Sequence, residues 1–164
     1  MKTVIAYASE YGSAKTCAEM LAGHLDGDTA LLDLKRSTAL DGGYDTVIIG
    51  GSVYAGSIQK EVIRFCTANR DALMGKRLGL YVCCAARGES AADYVKLFPE
   101  ELVGKAVATG AFGGVFHMDK MKPFHKLIIK MLRKVNKDMK EPEINAEAVA
   151  AFAGAIKRSS GDAS

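Results

Sequence analysis

Two short stretches of this 164-residue sequence combine residue types that could hold an anion and a flat ring. The first is Ser9-Glu10-Tyr11-Gly12-Ser13-Ala14-Lys15-Thr16, between an apolar run, Thr3 to Ala8, and a helical pattern that puts Cys17, Met20, Leu21 and Leu25 on one face. A turn of small and hydroxyl residues opening a helix aims amide N–H groups and the helix dipole at one point, with Ser9, Ser13 and Thr16 as further donors. That chemistry suits a phosphate. A P-loop is excluded because Ala14, not Gly, precedes Lys15-Thr16. A dinucleotide fingerprint is excluded because only Gly12 stands where three glycines are needed. Simple capping by Ser9 or Ser13 explains the same residues, so this stretch alone leaves cap and cradle open.

The second stretch is Gly50-Gly51-Ser52-Val53-Tyr54-Ala55-Gly56-Ser57. A single large aromatic, Tyr54, sits among small residues, which suits stacking against a flat ring with backbone groups at its polar edge. The alternatives are a partly exposed surface tyrosine and a plain glycine turn. A third loop, Cys84-Ala85-Ala86-Arg87-Gly88, follows another apolar run and offers backbone donors and one cation. Cys83 and Cys84 point to opposite faces of a strand and lack a partner at Cys-x-x-Cys spacing, so they read as small buried residues. Cys17 and Cys66 add no metal-ligand spacing, and reduced thiols are expected. His24, His117 and His125 have no carboxylate at catalytic spacing and receive no catalytic role.

The elements that must position these loops follow from periodicity. Strand-like runs lie at 3–8, 30–34, 45–51, 77–84 and 107–116, with helical patterns at 14–25 and about 58–70, 90–97, 123–137 and 145–158 between and after them. Near-continuous apolar strands alternating with helices predict an α/β fold, a doubly wound parallel sheet covered on both faces. Ligands of such sheets bind beyond the carboxyl ends of the strands, where the loops just described fall. One unit is expected over residues 1–158, with a disordered tail from 159 to 164. No apolar run reaches the roughly 18 to 20 residues of a membrane span, and the apolar N-terminus is too short for a signal peptide, so a cytoplasmic protein is expected.

Charge is segregated. The net charge is +3, but residues 117–140 carry eight Lys or Arg against Asp119 and Asp138, a net of +6 that leaves −3 for the rest. From Pro123 onward, Phe124, Leu127, Ile128, Met131, Leu132 and Val135 recur at helical spacing opposite Lys126, Lys130, Arg133, Lys134 and Lys137. The apolar stripe could pack on the sheet, or the segment Lys120–Lys137 could lie on an anionic membrane surface. Nucleic-acid binding is not expected, because no aromatic residues are interleaved with the basic ones.

With these residues in place, Thr3-Val4-Ile5-Ala6-Tyr7-Ala8-Ser9-Glu10-Tyr11-Gly12-Ser13 resembles the first strand and FMN-phosphate loop of the flavodoxin family, and the order of elements is similar over nearly the whole chain. The resemblance implies a flavodoxin-like five-stranded sheet of order 2-1-3-4-5 with FMN as cofactor. It also implies a site made of Ser9, Glu10, Tyr11, Gly12, Ser13 and Ala14, then Ser52, Val53, Tyr54, Ala55 and Gly56, then Cys84, Ala85, Ala86, Arg87 and Gly88. Tyr54 would stack on the flavin, the Ala55–Gly56 peptide would face flavin N5, and Arg87 would favour the reduced ring. Tyr94 is a weaker ring contact. The basic segment is similar to the insertion of the menaquinone-dependent protoporphyrinogen oxidases within this superfamily. That likeness implies an FMN oxidoreductase with a quinone, tetrapyrrole or redox-protein partner and peripheral membrane contact. A soluble flavodoxin electron carrier is the alternative, and a flavin-free binding domain draws only on Ala14.

Overall fold

Strand alternation sorts the apolar residues onto two faces. In β1 (Lys2–Ala8) every residue after Lys2 is buried; Val4, Ala6 and Ala8 join one core cluster, whereas Ile5 and Tyr7 join another. Burial on both faces demands helices on both sides. A computed structural model describes residues 1–84, 89–114, 122–135 and 143–161 of the chain. Its elements in order are β1, α1 (Ser13–His24), β2 (Asp28–Asp33), β3 (Thr46–Tyr54), β4 (Ser57–Ile58), α2 (Lys60–Ala68), α3 (Arg70–Met74) and β5 (Arg77–Cys83). There follow α4 (Glu89–Asp93), a 3-10 turn (Tyr94–Leu97), α5 (Glu100–Lys105), β6 (Ala108–Ala111), α6 (Pro123–Val135) and α7 (Ala146–Gly161).

The sheet order is β2-β1-β3-β5-β6, all parallel, with the two-residue β4 paired antiparallel to β3. Counting only the parallel strands, this is the 2-1-3-4-5 order expected from the sequence. Ile5, Ile48 and Tyr81 pack with Cys17, Leu21, Phe152 and Ile156 of α1 and α7 on one face. Val47, Ile49, Leu78 and Leu80 pack with Val62, Phe65, Leu73 and Leu102 of α2, α3 and α5 on the other. Burying a Leu, Ile or Phe side chain contributes about 1.5–3 kcal/mol, so these two layers dominate stability.

Three boundaries differ from the sequence reading. β3 runs on to Tyr54, past the expected end at Gly51, and Gly50, Gly51 and Ser52 pair with Tyr7 and Ala8 of β1 and with Tyr81, Val82 and Cys83 of β5. Packing, not mobility, explains the first glycine: a Cβ on Gly50 would stand 1.9 Å from Cζ of Tyr81. The strand expected over 107–116 is cut to Ala108–Ala111. Gly113 then takes φ +76°, and its bridge to Ile144 ties the return of the basic segment to the sheet edge. Finally, α7 runs on to Gly161, past the expected start of the tail. Its last turn holds because the Ser159 and Ser160 hydroxyls donate to the Ile156 and Lys157 carbonyls.

Candidate functional site

The loops after β1, β3, β5 and β6 all leave the carboxyl edge of the sheet, and two contacts show how closely they converge. A Cβ built on Gly114 would lie 3.5 Å from Ser13 Oγ and 3.9 Å from the Cys84 amide nitrogen. Beneath them Tyr81 is fully buried, stacks on Phe112 at 4.9 Å, and donates its hydroxyl to the Ala14 carbonyl at 2.8 Å. That bond fixes the start of α1 over β5.

The first loop turns at Gly12. Helix α1 begins after Gly12, which is left-handed at φ +99°, and no side-chain hydrogen bond caps it. Ser9 Oγ instead accepts the Gly12 amide at 2.9 Å and folds the loop, leaving the first-turn amides without a side-chain cap. Space is open where a Cβ on Gly12 would stand. An anion at this terminus would meet backbone donors and the positive end of the helix dipole, the arrangement a phosphate group needs. Thr16 contributes less than its type promised, because its hydroxyl donates back to the Gly12 carbonyl at 3.0 Å. Ala14 is fully buried, so only its backbone can serve a ligand. Glu10 is ion-paired to Lys122 at 3.0 Å and to Lys35 at 3.5 Å. Burial pushes the Glu10 carboxyl up, but the Lys122 hydrogen bond and the Lys35 charge outweigh it and hold the group below its ordinary range.

The second loop is a tight hairpin. Tyr54 and Ser57 pair across a two-residue turn, with Ala55 at φ +50° and Gly56 at φ +75°. A left-handed alanine costs about 1–2 kcal/mol, so this peptide is strained where a ring edge is expected. Val53 and Ser52 face inward and are buried. The Ser52 amide donates to Gln59 Oε1 at 2.8 Å, whereas Ser52 Oγ and Gln59 Nε2 are buried without partners. Two orphaned polar atoms at the strand end beside the hairpin fit a polar-edged ligand better than a closed apolar wall.

Tyr54 is not alone. Its ring is edge-on to Tyr11 at 5.2 Å and stacked on His125 at 5.3 Å with 10° between planes. Tyr11 Oη and His125 Nδ1 are 2.6 Å apart. Desolvation, and then the neighbouring Tyr11, push the Tyr54 phenol far above its ordinary range, so it remains neutral. Spacing along the chain gave no sign of His125, since its partners are 114 and 71 residues away.

Other candidates fall elsewhere. Ala85, Ala86, Arg87 and Gly88 lie outside the described residues, as do His117, Lys120 and Lys137. Tyr94 packs half-buried against the α2-side core. Cys84 and Cys83 do face opposite ways, but Cys83 Sγ lies 3.4 Å from Cys17 Sγ, a partner that Cys-x-x-Cys counting could not find. The hydrogen bond to Cys17 and burial hold the Cys83 thiol well above its usual range, which keeps it protonated. Among the described residues, no His, Cys, Asp or Glu cluster could hold a metal ion.

Four stripe residues of helix α6 are exposed, and Ile128 is half-buried. Phe124, Leu127, Met131 and Val135 are 65%, 56%, 60% and 87% exposed. Among the described residues no helix is long and apolar enough to cross a membrane.

A doubly wound parallel sheet whose first loop opens a helix at Gly12 and whose second loop carries the Tyr54 ring has the layout of a flavin-type α/β protein. The Flavodoxin domain family matches residues 4–143, and the chain belongs to it. The FMN expectation fits the orphaned Ser52 and Gln59 atoms and the uncapped α1 terminus. The fold is similar to oxidised flavodoxin 1 from Bacillus cereus, at TM-score 0.60 and 16% identity over 96% of this chain and 98% of that one. Flavodoxin 2 from the same organism gives 0.60 and 19% over 97% and 99%. A Fusobacterium nucleatum flavodoxin mutant solved with flavin mononucleotide gives 0.57 and 14% over 96% of each chain. No curated protein sequence matches the chain.

Proposed function

We propose that this protein is an FMN-dependent oxidoreductase that works against an anionic membrane surface and passes electrons to a lipid quinone, with a tetrapyrrole as the reductant class. Bound FMN supplies one- and two-electron chemistry, while the protein binds, orients and shields it. Amides of Ser13 and Ala14, with the Ser9 and Ser13 hydroxyls, would hold the phosphate over the turn at Gly12. Tyr54 covers the ring, and the strained Ala55–Gly56 peptide faces its N5 edge. Cys84 to Gly88 border the pyrimidine, with Arg87 favouring the reduced form.

The observation that carries the membrane reading is the unburied stripe of α6. Four large apolar side chains face water, and Lys122, Lys126, Lys130 and Lys134 lie on the same helix or its entry. Each Lys near an anionic surface contributes about 1 kcal/mol. The stripe begins one residue from His125, which touches Tyr54, so a lipid-borne acceptor would meet the flavin site directly. The test is reduction of a menaquinone analogue in anionic vesicles by the FMN-loaded, photoreduced protein. Replacing Lys126, Lys130, Arg133 and Lys134 by Gln should slow quinone reduction while a water-soluble dye accepts electrons at the same rate; equal slowing of both refutes the reading. Turnover with protoporphyrinogen tests the reductant.

A soluble electron carrier is the second reading. It is favoured by the sheet loops themselves, since the phosphate and ring residues come from the loops after β1 and β3 and need nothing from the exposed stripe.

A further inference from the structure

The first turn of α6 lies on the residues that the flavin reading needs. Tyr11 makes the connection. The Lys122 amide donates to Tyr11 Oη at 3.0 Å, and the same phenol is hydrogen-bonded to His125 Nδ1, 2.6 Å away. The His125 ring plane is within 10° of that of Tyr54, and its edge meets Tyr11 at 5.7 Å and 89°. The Lys122 ammonium holds the Glu10 carboxylate at 3.0 Å, and the Lys122 carbonyl accepts the Lys126 amide to begin the helix. These contacts all tie one helical turn to Glu10, Tyr11 and Tyr54. Beyond them, Leu127, Met131 and Val135 face solvent, so this turn supplies the helix's attachment near the site.

A ring stacked on Tyr54 needs van der Waals separation from its face, about 3.5–4 Å between carbon atoms. On the face that His125 covers, the imidazole already fills that layer, and both rings cannot occupy it. We propose that the first turn of α6 is a latch on the flavin site: the His125 imidazole holds the Tyr54 face that the isoalloxazine takes, and flavin binding releases the helix turn. This inference rests on the FMN reading and adds its regulation. Any fraction of molecules with the latch closed lowers the apparent association rate and affinity in proportion. Removing the imidazole removes that tax, which is the opposite of what happens if His125 is a flavin ligand.

The test mixes flavin-stripped full-length protein with FMN in a stopped-flow instrument and follows flavin fluorescence. His125→Ala should bind about tenfold faster than the wild type if the latch is closed nine-tenths of the time. His125→Phe, which keeps a stacking ring without the Tyr11 bond, should fall between them. In wild-type protein, saturating FMN should also speed tryptic cleavage after Lys126 and Lys130, because the released turn frays. Binding at an unchanged or slower rate in His125→Ala, or protection of those sites by FMN, overturns the latch while leaving the flavin reading intact. If neither protein quenches FMN, the flavin reading fails, and the latch with it.

Discussion

The carboxyl edge of the sheet and helix α6 carry similar densities of apolar residues but are held in opposite ways. In β3 eight of nine residues are buried, and their neighbours on both faces are supplied by helices. In α6 the apolar stripe is presented to solvent, and polar and ring contacts of its first turn anchor it to the site. Apolar periodicity therefore fixes that a surface must be covered, not by what. In the sheet the cover is intramolecular; on the helix it is left for a partner.

The sharpest way to break this contrast is to disturb the sheet edge. Gly50→Val should destabilise the protein by about 3 kcal/mol in urea denaturation, because its side chain must enter the Tyr81 ring. Tyr81→Phe should cost about 1 kcal/mol by removing the buried hydroxyl's bond to the Ala14 carbonyl. Ser9→Ala and Ser13→Ala should each weaken FMN by about 1 kcal/mol, roughly fivefold in the dissociation constant by fluorescence titration. At the helix, Leu127→Gln with Met131→Gln should change stability by less than about 0.5 kcal/mol while abolishing binding to anionic vesicles in a flotation assay. A large loss of stability there would mean that the stripe is core.

Acid should separate the two regions as well. Glu10 has its folded pKa below the unfolded one, so its pairing stabilises the folded chain above roughly pH 4.3 and is lost as pH falls through the lower folded value. The measurement is tryptic cleavage in α6 at constant salt, with the acid-stopped rates corrected for enzyme activity. Cleavage should rise as the Lys122 tie fails, and Glu10→Gln should remove this pH dependence.

Most of the fold was legible because strand and helix periods are local. Thr3 to Ala8 and the 123–135 pattern both stand where they were expected. The strand expected to end at Gly51 runs on to Tyr54, since glycine marks both turns and close packing, and at Gly50 only the position of Tyr81 distinguishes them. Ser9, Gly12 and Ser13 read as a turn that opens a helix, which is where they stand, but the bond of the Thr16 hydroxyl to the Gly12 carbonyl has no mark in the sequence. His125 and the Cys17–Cys83 pair were invisible for one reason: their partners are brought by tertiary folding from more than 60 residues away.

The central claim is that the first loop is built for a flavin's terminal phosphate and the second for its ring. Titration of flavin-stripped protein with FMN and with riboflavin, following flavin fluorescence, tests it most directly. The account predicts one site that takes FMN at least tenfold more tightly than riboflavin, with the difference shrinking in Ser9→Ala and Ser13→Ala. Equal affinity for the two flavins in the wild-type protein would contradict it.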